Sequence, residues 1–160
     1  MIAREDPPAT FVKVLAENLA RIEAVSRRLS PEQLMASTGE WSPNEVLWHI
    51  RATADVHDGH VFRILDEDEP RWRHVSPRAR MKKVSYHEMP FADSLAAFRP
   101  QREALLARLD GLSPSAWDRL ALVKVEKKER PLTLRAQLWG YAHHEAGHCA
   151  QLEELAARLA

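Results

Sequence analysis

His144 and His148 stand four residues apart in the run His144-Glu145-Ala146-Gly147-His148. On a helix this spacing puts two imidazoles on one face, one turn apart, where both can reach a single ion. The seven-residue steps Tyr141, His148, Leu155 and Leu138, Glu145, Leu152, Leu159 carry an apolar stripe through this polar cluster. His148 reads as lying on the stripe and His144 at its flank. Imidazoles and a carboxylate among leucines are costly to bury unless a metal, hydrogen bonds or water satisfy them. His49 offers a third ligand, since it follows Val46 by three and precedes Thr53 by four on the inward side of another helix. A lone inward histidine is ordinarily a hydrogen-bonded core residue. Three ligands from two facing helices, however, leave one coordination position open, as catalytic rather than structural metal sites do. The expected site is therefore His49, His144 and His148 around a divalent metal ion. Imidazole suits zinc and nickel best, with iron and manganese behind them. No catalytic residue is assigned.

The remaining candidates are weaker. His60 shares nearly the same face as His49 but lies about 16 Å along the axis. His57 is rotated about 80° from His49 and is expected to face solvent or a partner chain. His143 points away from the pair, and His74 and His87 fall in a long connection. Cys149, rotated about 100° from His148, reads as a small packed residue rather than a nucleophile.

These residues need a scaffold, and four segments read as helices. The first runs from about Thr10 to Leu29, with Phe11, Val14, Leu15, Leu19, Ile22 and Val25 at helical spacing. Ser30-Pro31 then opens a short turn containing Leu34. The second helix starts at Ser42, where Ser-x-x-Glu to Glu45 is a capping box and Pro43 suits the first helical position, and it runs to Pro70. Residues 66–90 carry three prolines and no clear period, so they read as a long connection, and a crossover there would leave the second and third helices parallel. The third helix spans about Phe91 to Leu109 and the fourth about Leu132 to Leu159. Residues 119–130 are expected to form a short extended segment with a solvated charged end. Leu29-Ser30-Pro31 and Leu112-Ser113-Pro114 form a faint repeat suggesting two similar helical hairpins. The expected fold is all-α, a four-helix bundle with a long crossover between helices two and three, in one domain over 1–160. His49 lies about two turns into its helix, so the 30–41 turn and the 119–132 segment are expected to border the site, and 66–90 less so.

Composition narrows the partners. The 160 residues are 45% hydrophobic and 29% charged, and 23 basic against 23 acidic side chains give a formal net charge of zero. That balance argues against nucleic acid or an anionic membrane as partner. The single cysteine excludes an intrachain disulfide. No stretch approaches the roughly 20 apolar residues of a membrane span. Met1 to Pro8 lacks the apolar core of a signal peptide, so the expected location is the cytoplasm.

The start of the second helix, Trp41-Ser42-Pro43-Asn44-Glu45-Val46-Leu47-Trp48-His49, resembles the Trp-Ser-Pro-x-Glu-x-x-x-His pattern of the DinB-like (YfiT-like) superfamily. His144-x-x-x-His148-x-x-Gln151-Leu152 is similar to that family's closing motif. The likeness covers nearly the whole chain. It implies a metal held by one histidine of helix two and two of helix four, a crossover between helices two and three, and frequent homodimers. It also implies a small-molecule substrate and, as in some members, a low-molecular-weight thiol such as bacillithiol or mycothiol used in transfer or isomerisation. Two other functions compete with a thiol S-transferase or isomerase. One is a metal-dependent hydrolase, since His144-Glu145-x-x-His148 spells the metalloprotease motif, although only twelve residues follow it. The other is a non-enzymatic metal-binding or dimerisation module.

Overall fold

Among the described residues four long helices carry the fold beside three short strands, and sequence-local signals start most of the helices. The computed structural model describes residues 2–37, 39, 41–74 and 88–160. Helix α1 is Pro8–Arg28, α2 Pro31–Met35, α3 Pro43–Asp66, α4 Phe91–Leu109 and α5 Leu134–Leu159. Strands are β1 Arg71–Arg73, β2 Leu120–Val125 and β3 Lys128–Thr133. At α3 the Ser42 side chain accepts from the Glu45 amide at 3.2 Å while the Glu45 carboxylate accepts from the Ser42 amide at 2.7 Å. This reciprocal cap satisfies two of the amides a helix start leaves free, and Pro43 sits where no amide is needed. The same device, Ser30 with Gln33, makes α2 a helix where the sequence reading had only a turn, and α2 buries Leu34.

Side-chain contacts fix the directions of the long helices. Between α3 and α4 the partners rise together: Asn44 with Met89, Arg51 with Ser94, Asp58 with Gln101, Asp66 with Arg108. These two helices are parallel, which demands the crossover expected between them. Between α1 and α5 the partners also rise together, from Glu5 with Arg135 through Asn18 with Glu145 to Arg21 with Glu153. Between α3 and α5 they run in opposition, His49 meeting His144 and His57 meeting Gln137. The bundle is therefore up, down, down, up. Its core is built from Phe11, Leu15, Ile22, Leu47, Ile50, Phe98, Leu105 and Leu138, each at most 1% exposed. Full burial of such a side chain stabilises by roughly 1.5–3 kcal/mol.

A small sheet stands beside the helices, and the extended segment expected at 119–130 falls within two of its strands. Residues 120–133 form an antiparallel hairpin that pairs Leu120 with Thr133 through Val125 with Lys128, turning at Glu126 with φ 55°. Ala121 and Val123 are buried beneath it, a two-residue alternation masked by the charges that follow. β1, inside the connection read as lacking any element, pairs parallel with β2 from Arg71 with Leu122 to Arg73 with Lys124. A three-residue strand that takes its partner some fifty residues away has no local periodicity to announce it. α3 also ends at Asp66 rather than Pro70. The rest of the connection, 75–87 with His87, lies outside the described residues. Arg119 donates to the carbonyls of Ile64 and Glu67, which fastens the sheet to the C-terminal end of α3. No helix among the described residues is long and apolar enough to cross a membrane.

Candidate metal centre

The antiparallel register of α3 and α5 brings His49, His144 and His148 together. His144 Nε2 lies 3.3 Å from His49 Nε2 and 3.3 Å from His148 Nε2. One ligand atom from each ring lies within 4.8 Å of the others, and these three form the metal-capable cluster found among the described residues. His49 is buried, and His144 and His148 are half-buried. Burial, with His148 and then His143 adding to it, pushes the His144 imidazolium down to about 4, so the ring is neutral near pH 7 and its lone pairs are available. Three Nε2 atoms gathered this closely cannot all be satisfied by one another, and a cation among them resolves the conflict. Two ligands about 2.05 Å from an ion in a tetrahedron stand about 3.3 Å apart. The residues present fit a metal ion.

Around this cluster the structure distributes other side chains unevenly. His148 Nδ1 lies 2.9 Å from Gln151 Oε1. Trp41, just before the cap of α3, stands over the cluster, with ring centroids 5.2 Å from His49 and 6.1 Å from His148 and its plane 16° from that of His148. The 30–41 connection thus borders the site. The 119–132 segment does not, because it is tied to the far end of α3, where Leu122 donates to Pro70. Met89, at the end of the long connection, returns to the near end of α3, where its carbonyl accepts from Asn44.

The stripe that α5 buries runs through Leu138, Tyr141, Glu145, Cys149 and Leu152, and His144 and His148 flank it. His148 is therefore half-buried at the flank rather than on the stripe, although Tyr141 and Leu155, seven residues to either side, are buried. Glu145 is the core residue. Its carboxylate accepts from Arg102 Nη2 at 2.5 Å and from Asn18 Nδ2 at 3.2 Å. Arg102, on α4, is fully buried and also donates to Tyr141 Oη at 3.0 Å and to the Leu15 carbonyl at 3.1 Å. Arg102 is a site-supporting residue that periodicity missed, since an arginine in a helix is ordinarily assigned to the surface. Because Glu145 is held by Arg102 in the core, it lacks the freedom of the metalloprotease base that the motif suggests.

His57 is corrected as well. It turns inward, its ring 4.7 Å from that of Tyr141 and 15° from coplanar, with Nδ1 2.6 Å from Gln137 Nε2. Rotation about one helix axis cannot show which neighbouring helix covers that face. His60 stacks on Trp72 of β1 at 4.2 Å, away from the cluster. His143 packs on Trp139. Cys149 is buried and free.

A sequence profile described as the DinB superfamily matches residues 14–152. Among solved structures, YfiT from Bacillus subtilis, described as a probable metal-dependent hydrolase with an unusual four-helix bundle topology, superposes with TM-score 0.75 at 22% identity, over 99% of this chain and 93% of that one. A mutant of the mycothiol-dependent maleylpyruvate isomerase superposes with TM-score 0.73 at 13% identity, and the isomerase itself with 0.63 at 18%. Each isomerase match covers 95% of this chain but 63% of the other. At these identities the likeness shows the fold. A search of curated proteins found no match.

Proposed function

The chain belongs to the DinB superfamily, and from that premise we propose that it is a metal-dependent enzyme whose ligands are His49, His144 and His148. The observation that carries this reading is that His144 Nε2 lies 3.3 Å from both His49 Nε2 and His148 Nε2, with ligand atoms from all three rings within 4.8 Å, across two antiparallel helices. A divalent cation held there would supply a Lewis acid that lowers the pKa of a thiol or a water at its open position. Zinc and nickel suit an all-imidazole set. The protein's own side chains do the rest. His49 and His144 present their rings from opposite walls, and Trp41 packs over His49 and His148. Glu145 and Arg102, locked to each other, brace α5 against α4 rather than moving protons. The reaction we favour is thiol-dependent S-transfer or isomerisation with a small-molecule electrophile, because the mycothiol-dependent isomerase shares the bundle. The YfiT likeness favours hydrolysis as the second reading.

Elemental analysis of the purified protein should find one divalent ion per chain, and His148→Ala should remove it. Full occupancy in that variant refutes the site. Turnover of a halogenated arene that needs bacillithiol, mycothiol or glutathione supports thiol transfer, whereas metal-dependent ester cleavage without a thiol supports hydrolysis. We propose a homodimer from the resemblance, and light scattering that gives a single 18.3 kDa particle would refute it.

A further inference from the structure

An imidazole ligates a metal only through an unprotonated nitrogen, so something must decide which ring nitrogen keeps the proton. For His148 the decision is visible. Its Nδ1 lies 2.9 Å from Gln151 Oε1, one turn further along α5. An amide oxygen only accepts, so Nδ1 donates, and in the neutral ring this leaves Nε2 with its lone pair. That lone pair faces His144 Nε2 at 3.3 Å, toward the other ligand atoms. The reverse amide orientation would direct an N–H at Nδ1, force the proton onto Nε2 and aim it into the cluster. His144 has no comparable support, since its Nδ1 is buried without a hydrogen-bond partner. The two ligands of α5 are therefore unequal, one held in its ligating form before the metal arrives and one not.

We propose that Gln151 is a positioning residue for the metal centre: its carbonyl oxygen keeps the proton of His148 on Nδ1 and so presents Nε2, unprotonated, to the ion. This rests on the metal reading above, and it assigns Gln151 a role in it. The side chain is half-buried at the rim of the cluster, and its amide carries no charge. A glutamate at the same place keeps the acceptor, whereas a leucine of similar size removes it. Loss of such an outer partner typically weakens metal binding about 10–100-fold.

The test uses the full chain with Zn2+ alone, titrated against a chromogenic chelator. Gln151→Leu should weaken zinc binding about 10–100-fold, with circular dichroism and melting temperature kept near wild type, and Gln151→Glu should return the affinity to wild type or above. A leucine variant that binds zinc as tightly as wild type, or a glutamate variant as weak as the leucine one, overturns the proposal. A second readout needs no variant and no metal: ring 15N shifts of the metal-free wild type should show His148 protonated at Nδ1. A proton on Nε2 overturns it even if the leucine variant does not fold. Wild-type protein that takes up no zinc would refute the metal reading, while the 15N shifts would still decide what Gln151 does to His148.

Discussion

Replacing Arg102 by methionine tests the claim that a buried ion pair, not apolar contact alone, braces the helices behind the metal cluster. The guanidinium is 0% exposed and donates to three oxygens, on Glu145, Tyr141 and Leu15, while its charge lies 5.0 Å from the centre of the Phe98 ring. Methionine fills much of the volume but leaves the Glu145 carboxylate, 2% exposed, with Asn18 as its one hydrogen-bond donor among the described residues. Breaking a buried pair by removing one partner costs about 3–5 kcal/mol. For a protein this size the urea slope is about 2 kcal/mol per molar, so the unfolding midpoint should fall by about 1.5–2.5 M. The double variant Arg102→Met with Glu145→Leu removes both charges, and it should recover at least about 2 kcal/mol of that loss, because an apolar replacement of a whole buried pair is often neutral. Equilibrium urea unfolding of wild type, both single variants and the double variant, followed by circular dichroism at pH 7, measures the coupling. A midpoint shift below about 0.5 M for Arg102→Met, or strictly additive losses in the double variant, would refute the reasoning.

Two further outcomes follow from burial. Burial, together with His60 and more distant histidines, pushes His57 down to about 3, and burial with Arg63 and His74 pushes His60 down to about 4. The unfolded chain takes these protons near 6.5, so the stability is complete above that pH and is lost as the pH falls toward the folded values, at up to about 1.4 kcal/mol per pH unit for each group. Asp58, raised to about 6 chiefly by burial, acts in the opposite sense and offsets part of the loss. Melting temperatures from pH 7 to pH 4.5 should fall less steeply for His57→Gln than for wild type, and identical slopes would count against the assignment. Cys149 is 0% exposed, and burial raises its thiol far above the ordinary range. Ellman's reagent should therefore leave the native protein unlabelled and take one thiol per chain in urea, and rapid labelling of the native state would contradict this.

The amino-acid sequence by itself determined the four long helices, the start of α3 and the shared face of His144 and His148. These depend on neighbours within one or two turns: a serine and a glutamate three apart, a proline at the first position, two imidazoles four apart. The parallel relation of α3 and α4 was also legible, because a connection of about twenty-five residues is longer than a hairpin turn needs. Tertiary structure alone decided what depends on register between distant segments. It set His49 opposite His144 rather than one turn away, and it turned His57 into Tyr141 and Gln137 instead of solvent. It paired Arg71–Arg73 with a strand some fifty residues further on, at the end of the bundle away from the histidines. It also drew Arg102 fully into the core. A charged residue reads as surface until its partner is known, and that partner, Glu145, lies on another helix. Periodicity says which face of a helix is apolar. Which side chain of which neighbour meets that face is a property of packing among whole helices, and a pattern within one segment does not contain it.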